Sequence, residues 1–277
     1  MMESDVWKGY LAAWTEQCIM IQSPFVHKGI RVFGPDSDYT TFAIAAIQLH
    51  LQNGGLLSVV SAPSEIEPSI VQYATGIEIS TMDNDSTPEW DLLIGDDATV
   101  VLALNNSSFE LPEFETKIEV DAQFHESMMA AWKKELNTSN VSQGAYVSMA
   151  LYNEGANTRM TLASDVFGNG PVWPPRQMDS SGQRPDVQRQ PLQTNGIVES
   201  WTALSAAGAP SEFSLRAPLL EGLTTVYVRL TDGPHGVFLM VDDEEHDISI
   251  GNSVEFVIRR IYGQESVVRY GLKARPI

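Results

Sequence analysis

The stretch "TTVYVRLTDGPHGVFLMV" (Thr224–Val241) decides how the second half of the chain is read. Apolar and polar residues alternate on both sides of Asp232-Gly233, the period-2 pattern of a half-buried strand. An Asp-Gly step between two such runs is a strong hairpin signal, because its glycine accepts the positive φ of a tight turn. On one side, "GIVESWTALS" (Gly196–Ser205) is a strand-like run holding Trp201. On the other, "NSVEFVIRRIYGQESVVRYGLKA" (Asn252–Ala274) reads as a second hairpin around Gly263. About five strands in roughly 80 residues suit a small closed barrel, since closure removes exposed edges, and the OB-fold has that count. Residues 195–277 are therefore expected to form an all-β OB-fold barrel.

Ahead of the barrel, residues 141–194 lose periodicity. "GAYVSMALYN" (Gly144–Asn153) fits a helix or a strand, and "GNGPVWPPRQMDSSGQRPDVQRQPLQTNG" (Gly168–Gly196) is rich in Gly, Pro and Arg. Such composition predicts an irregular linker or docking segment. Residues 1–140 read as α/β. In "GPDSDYTTFAIAAIQLHL" (Gly34–Leu51), Asp36, Ser37 or Asp38 can cap a helix that Gly54 and Gly55 stop. "LLSVVSA" (Leu56–Ala62) predicts a buried parallel strand, and "EPSIVQYATG" (Glu67–Gly76) a short helix closed by its glycine. "DATVVLAL" (Asp97–Leu104) predicts another buried strand. "DAQFHESMMAAWKKELN" (Asp121–Asn137) predicts a helix with Lys133 and Lys134 at its C-terminal end, as the helix dipole favours.

Composition narrows the function classes. The net charge of −19 is concentrated in residues 1–140, which hold 21 acidic and 6 basic side chains. Most of that surface repels polyanionic nucleic acid. The most apolar run, "FAIAAIQLHLQNGGLLSVV" (Phe42–Val60), is interrupted by Gln48, His50, Gln52, Asn53 and a glycine pair, so no membrane span is expected. The start of the chain lacks a basic region and a clean apolar core, so no signal peptide is expected and a cytoplasmic location is the default. One cysteine, Cys18, makes neither an internal disulfide nor a thiolate zinc site.

The barrel strands resemble the OB-fold half of the zinc-ribbon/OB-fold acyl-CoA-associated proteins, which accompany thiolases and hydroxymethylglutaryl-CoA synthases. Ser200-Trp201-Thr202, "VYVRLTDGP" (Val226–Pro234) and Ile250-Gly251 with Val254 carry the likeness. That family places a zinc ribbon ending in Phe-Pro-Pro-Arg before the barrel, and here Trp173-Pro174-Pro175-Arg176 stands in that place. The family's two cysteine pairs fall near Ser164 and Phe167, then Asp179 and Gly182, so the resemblance implies a ribbon without zinc. Packing through Trp173 and the prolines is then expected to hold the segment. The first region is similar to the start of a thiolase-fold synthase over "GIRVFGPDSDYTTFAIAAIQLHL" (Gly29–Leu51) and "IGDDATVVLAL" (Ile94–Leu104). The nucleophilic cysteine of that fold belongs between Glu78 and Trp90, where "EISTMDNDSTPEW" has none. The resemblance thus implies a degenerate thiolase-like region, too short for two half-domains and catalytically silent.

The site expected of such a chain binds without catalysis or metal. Arg176, Arg184 and Arg189 form a basic cluster on an acidic chain. With Trp173, Trp201 and Arg229, the resemblance makes them candidates to hold coenzyme A or an acyl-CoA, guanidinium groups meeting phosphates. The implied partner is a thiolase- or hydroxymethylglutaryl-CoA synthase-type enzyme, with this chain as its scaffold in lipid metabolism. Other residues read more plainly. Cys18 in "WTEQCIMI" is a buried inert thiol. His27, His50, His125, His235 and His246 share no metal-ligand spacing, and "DDEEHD" (Asp242–Asp247) is a solvated loop. Trp201 and Tyr227 are core or binding-face aromatics. Two alternatives stay open: a single-stranded nucleic-acid-binding OB module using Arg216, Arg229, Arg259, Arg260 and Arg269, and an enzyme acting alone on acyl-CoA.

Overall fold

The structure is a computed structural model that describes residues 2–80, 88–107, 110–139, 160, 162–167, 170–174, 181–182, 188–244 and 247–277. Its contacts divide the chain into two compact units, Met1–Met129 and Ala130–Ile277.

The first unit opens with a meander the sequence pattern did not reveal. Strands β1 (Glu3–Trp7), β2 (Tyr10–Trp14) and β3 (Cys18–Gln22) pair antiparallel. Lys8-Gly9 makes the first turn with both residues at positive φ. β4 (Phe25–His27) and β5 (Ile30–Arg31) form a short hairpin. Helix α1 (Tyr39–Gln52) follows, and Asp38 is its cap. The Asp38 carboxylate accepts from the Thr41 N–H at 2.9 Å, while Thr41 Oγ1 accepts from the Asp38 N–H at 3.0 Å, a reciprocal capping box. β6 (Val59–Ser61), α2 (Pro68–Thr75) and β7 (Glu78–Ser80) make one parallel crossover. Pro68 begins α2, where its missing N–H is harmless, and Gly76 ends it at φ 76°. β8 (Trp90–Gly95) and β9 (Thr99–Leu104) are antiparallel neighbours. β10 (Ile118–Glu119) pairs with β4, and α3 (Ala122–Glu135) runs across the unit boundary.

The resulting sheet has seven strands in the order β1-β2-β3-β9-β8-β6-β7. Only β6 pairs in parallel, with β7 and with β8. The expected strand 56–62 is therefore shorter than its apolar run. Leu56 is 90% exposed, and pairing begins only at Val59. α1 is buried on nearly every side, which explains its near-continuous apolar sequence.

The second unit contains a small three-stranded antiparallel sheet, β12-β11-β13, from β11 (Ala163–Phe167), β12 (Gly170–Val172) and β13 (Gln188–Pro191). The segment expected to be irregular thus carries regular pairing. "GAYVSMALYN" and Asp179 lie outside the described residues. Next come β14 (Asn195–Leu204), β15 (Leu223–Leu230), β16 (His235–Met240), β17 (Ser253–Gln264) and β18 (Val267–Pro276). They close into a barrel in the order β14-β15-β16-β18-β17. β16 and β18 are parallel, and the other pairs are antiparallel. This is the five-stranded Greek-key arrangement of an OB-type barrel.

Alternation builds its core. Val226, Val228 and Leu230 point inward from β15 and pack with Phe238, Met240 and Phe256. The β15–β16 turn sits at Asp232-Gly233 as expected, with Gly233 at φ 105°. The second turn does not fall at Gly263. Glu265 and Ser266, both at positive φ, make it, and Gly263 lies inside β17. A Cβ there would meet Leu136 at 3.0 Å and Glu135 at 3.2 Å, so this glycine permits close approach of the chain after α3.

Candidate functional site

The outward face of β14–β16 gathers exposed aromatic and charged side chains. Register pairs Ser200 with Tyr227 and Tyr227 with Val237, while Arg229 pairs with His235. Residues paired across antiparallel strands share a face, so these side chains form one surface. Tyr227 is 41% exposed and Val237 67% exposed. The Tyr227 and His235 rings stack at 5.3 Å and 17°. A bulge between Val198 and Ser200 interrupts β14 beside Glu199. The Glu199 carboxylate accepts from Arg229 Nε at 2.9 Å and lies 3.1 Å from His235 Nε2. These contacts are half-exposed and add little stability. Trp201 is 47% exposed but pairs with buried Val226, so it stands in a different row from Tyr227.

Trp173 is seated on the barrel. Its ring stacks on Phe238 at 5.3 Å and 18°, and it packs against the barrel core. Gly236 makes room: a Cβ there would lie 2.5 Å from the indole. This is the packing anchor expected for the segment before the barrel. The Trp173–Pro174 bond is cis. Arg176 and Arg184 lie outside the described residues. Arg189 is on β13 opposite Asp165, and its side chain is not among those described. The structure therefore brings Arg229 and Tyr227 to one face and seats Trp173 elsewhere, while the arginine cluster falls outside the described side chains.

The second unit also holds a buried charge network. Trp132 on α3 lies between two guanidinium groups, Arg216 at 3.9 Å and Arg260 at 4.2 Å from its ring. Arg216 is 1% exposed. It donates from Nε to Glu135 at 2.8 Å and from Nη2 to the Ile261 carbonyl at 2.6 Å. The second Glu135 oxygen accepts from the Gly263 N–H at 3.0 Å. Asp242 lies 2.7 Å from Lys273 Nζ and 3.7 Å from Arg216, while Asp243 lies 3.3 Å from Arg259. Burial pushes the Glu135 pKa up, against the lowering by Arg216, the Gly263 N–H and Arg260.

Two expectations fail here. Asp242 and Asp243 of "DDEEHD" are not in a solvated loop but are drawn into ion pairs, and Glu244 joins Arg275 at 2.6 Å. Arg216, Arg259, Arg260 and Arg269 do not line an exposed groove, because all four are buried. Only Arg229 of that set is exposed, and Glu199 occupies it. One signal was in the sequence. Arg259-Arg260 interrupts the apolar run of β17, and two aspartates follow Val241 just past the end of β16.

In the first unit, Cys18 is fully buried and burial raises its thiol pKa to about 11. It is protonated at neutral pH and lies on a strand, unlike an activated nucleophile. His50 packs on Trp90 at 4.5 Å, and burial lowers its pKa against a backbone hydrogen bond at Leu56. His27 and His125 meet at 5.2 Å, a pairing that their spacing did not announce. Among the described residues, no group of three or more His, Cys, Asp or Glu side chains is placed to hold a metal. No helix among them is long and apolar enough to cross a membrane.

No family model matches the chain, and no curated protein matches it. A solved structure described as an Ltp2-ChsH2(DUF35) aldolase is 16% identical, over 47% of this chain and 98% of its own, with a TM-score of 0.33.

Proposed function

We propose that this protein is a non-catalytic accessory or scaffold subunit of a thiolase- or hydroxymethylglutaryl-CoA synthase-type complex. The observation that carries the reading is the outward face of β14–β16, where Tyr227, Val237 and His235 are presented by a closed barrel. Exposed aromatic and aliphatic side chains with a charged rim are the composition of a protein interface. The partner enzyme covers this face, and Trp201, with the arginine-bearing segment before the barrel, meets the phosphates of an acyl-CoA passing between active sites. Tethering two sites in one assembly then acts through local concentration. The deeply protonated Cys18 thiol supports the non-catalytic reading over that of an independent acyl-CoA enzyme. The burial of four barrel arginines speaks against the nucleic-acid alternative. A cytoplasmic site of action follows from the same proposal.

The test is affinity purification of the tagged chain from its own cell, with bound proteins identified by mass spectrometry. A thiolase-fold enzyme is expected in a fixed ratio with wild type. Tyr227→Ala with Val237→Asp should lose it while melting unchanged. A solitary chain that also shows no heat of binding with coenzyme A would overturn the reading.

A further inference from the structure

The sheet of the first unit has two differently covered faces. The Tyr10 ring meets Phe42 of α1 at 4.4 Å, tilted by 54°, so the side of β2 that carries Tyr10 faces the helix. Strand register places Ala13, Met20, Val101 and Leu93 in one row across β2, β3, β9 and β8, on the opposite face. There the cover is a stretch of irregular backbone instead of a helix: Phe114 packs against the cluster of Ala13, Cys18, Met20, Val101 and Ala103. Arg31 pins that stretch, donating to the carbonyls of Phe114 at 2.8 Å, Thr116 at 3.1 Å and Ser23 at 2.9 Å. Between sheet and stretch lies a cleft of about 580 Å³ that Met20, Val101, Leu93, Leu111, Phe114 and Arg31 help to line. Its volume is in the range of small-molecule sites. Leu93 and Leu111 are each 47% exposed at its rim.

We propose that this cleft binds an aliphatic monocarboxylate, its chain lying along Met20, Val101, Leu93 and Leu111 and its carboxylate taken by Arg31. A guanidinium has five N–H donors. Three of Arg31's are spent on the three carbonyls, two from Nη1 and one from Nη2. On the Nε–Nη2 edge, Nε makes no hydrogen bond to the described residues and Nη2 makes one. That edge is the one that grips a carboxylate side-on. Burial lowers the Arg31 pKa, against the raising fields of Asp97 and Glu113. The Asp97 oxygens accept from Gln22 Nε2 at 3.0 Å and Thr99 Oγ1 at 2.8 Å. Lys117 at the lining offsets Glu113, leaving the cleft near neutral on an acidic chain.

The cleft belongs to the first unit alone, and its ligand is independent of the function proposed for the barrel. Calorimetric titration of the full chain with octanoate, 1-octanol and acetate tests it. Octanoate is expected to bind saturably at one site, with octanol and acetate each weaker. Arg31→Gln should weaken octanoate by about 10- to 100-fold, the worth of a charge-assisted hydrogen bond. Because Arg31 also holds backbone, Leu93→Glu on the exposed rim is the second variant, and it should abolish binding without changing the melting temperature. Octanol binding as well as octanoate, no saturable octanoate binding by wild type, or normal binding by Leu93→Glu would each overturn the proposal.

Discussion

Replacing Arg216 by Met probes the network at the end of α3. Met keeps most of the aliphatic volume and removes the guanidinium. Glu135 loses its 2.8 Å partner, the Ile261 carbonyl loses a 2.6 Å donor, and Trp132 loses one of its two cations. Both members of the Arg216–Glu135 pair are at most 2% exposed, so water cannot substitute. Breaking a buried pair in this way costs about 3–5 kcal/mol. For a chain of this size that is a fall of about 10 °C in melting temperature. The pH dependence has a definite sign. Burial already raises the Glu135 pKa, so its contribution to stability is full below the ordinary carboxylate range and falls as pH rises through the folded value. Arg216→Met removes the largest opposing cause and raises that pKa further, so the deficit is greatest near pH 8 and shrinks toward about pH 5. Scanning calorimetry across pH reads both effects, and adding Glu135→Gln should restore much of the loss by removing the stranded charge. A deficit under about 1 kcal/mol at pH 8, or one that does not vary with pH, refutes the reasoning, since an exposed pair is worth no more than that.

Two further outcomes rest on packing and burial. Gly263→Val should destabilise the barrel by about 1–3 kcal/mol in denaturant titration, because even a Cβ sits 3.0 Å from Leu136. The Cys18 thiol, with its pKa near 11, should resist a disulfide reagent at pH 8 in the native protein and react promptly once unfolded. Rapid native labelling would show that the strand is not closed over it.

The barrel was legible because its cues are local. The Asp232-Gly233 turn and the alternation of Val226, Val228 and Leu230 with Tyr227 and Arg229 each depend on neighbours a few residues apart. The helices were legible for the same reason: Asp38 caps α1 from one turn away, and Gly76 closes α2 on itself. The hairpin turn at Glu265-Ser266 was misplaced at Gly263, because a glycine that admits a neighbouring element looks the same in sequence as one that turns a chain. The candidate site was legible only in part. Tyr227 and Arg229 alternate outward visibly, but nothing local joins Glu199 to His235 or Trp173 to Phe238.

By itself, then, the sequence determined which segments alternate, where helices begin and end, and that one cysteine forms no internal disulfide. Only the tertiary structure decided that Asp243 is buried with Arg259, that Asp242 is partly buried beside Lys273, and that Arg216 and Arg260 both lie over the Trp132 ring. The reason is range. Turn and capping energies are set within a few residues, whereas a charge is solvated or buried according to partners far along the chain, as Glu135 is by Arg216 at 81 positions' remove.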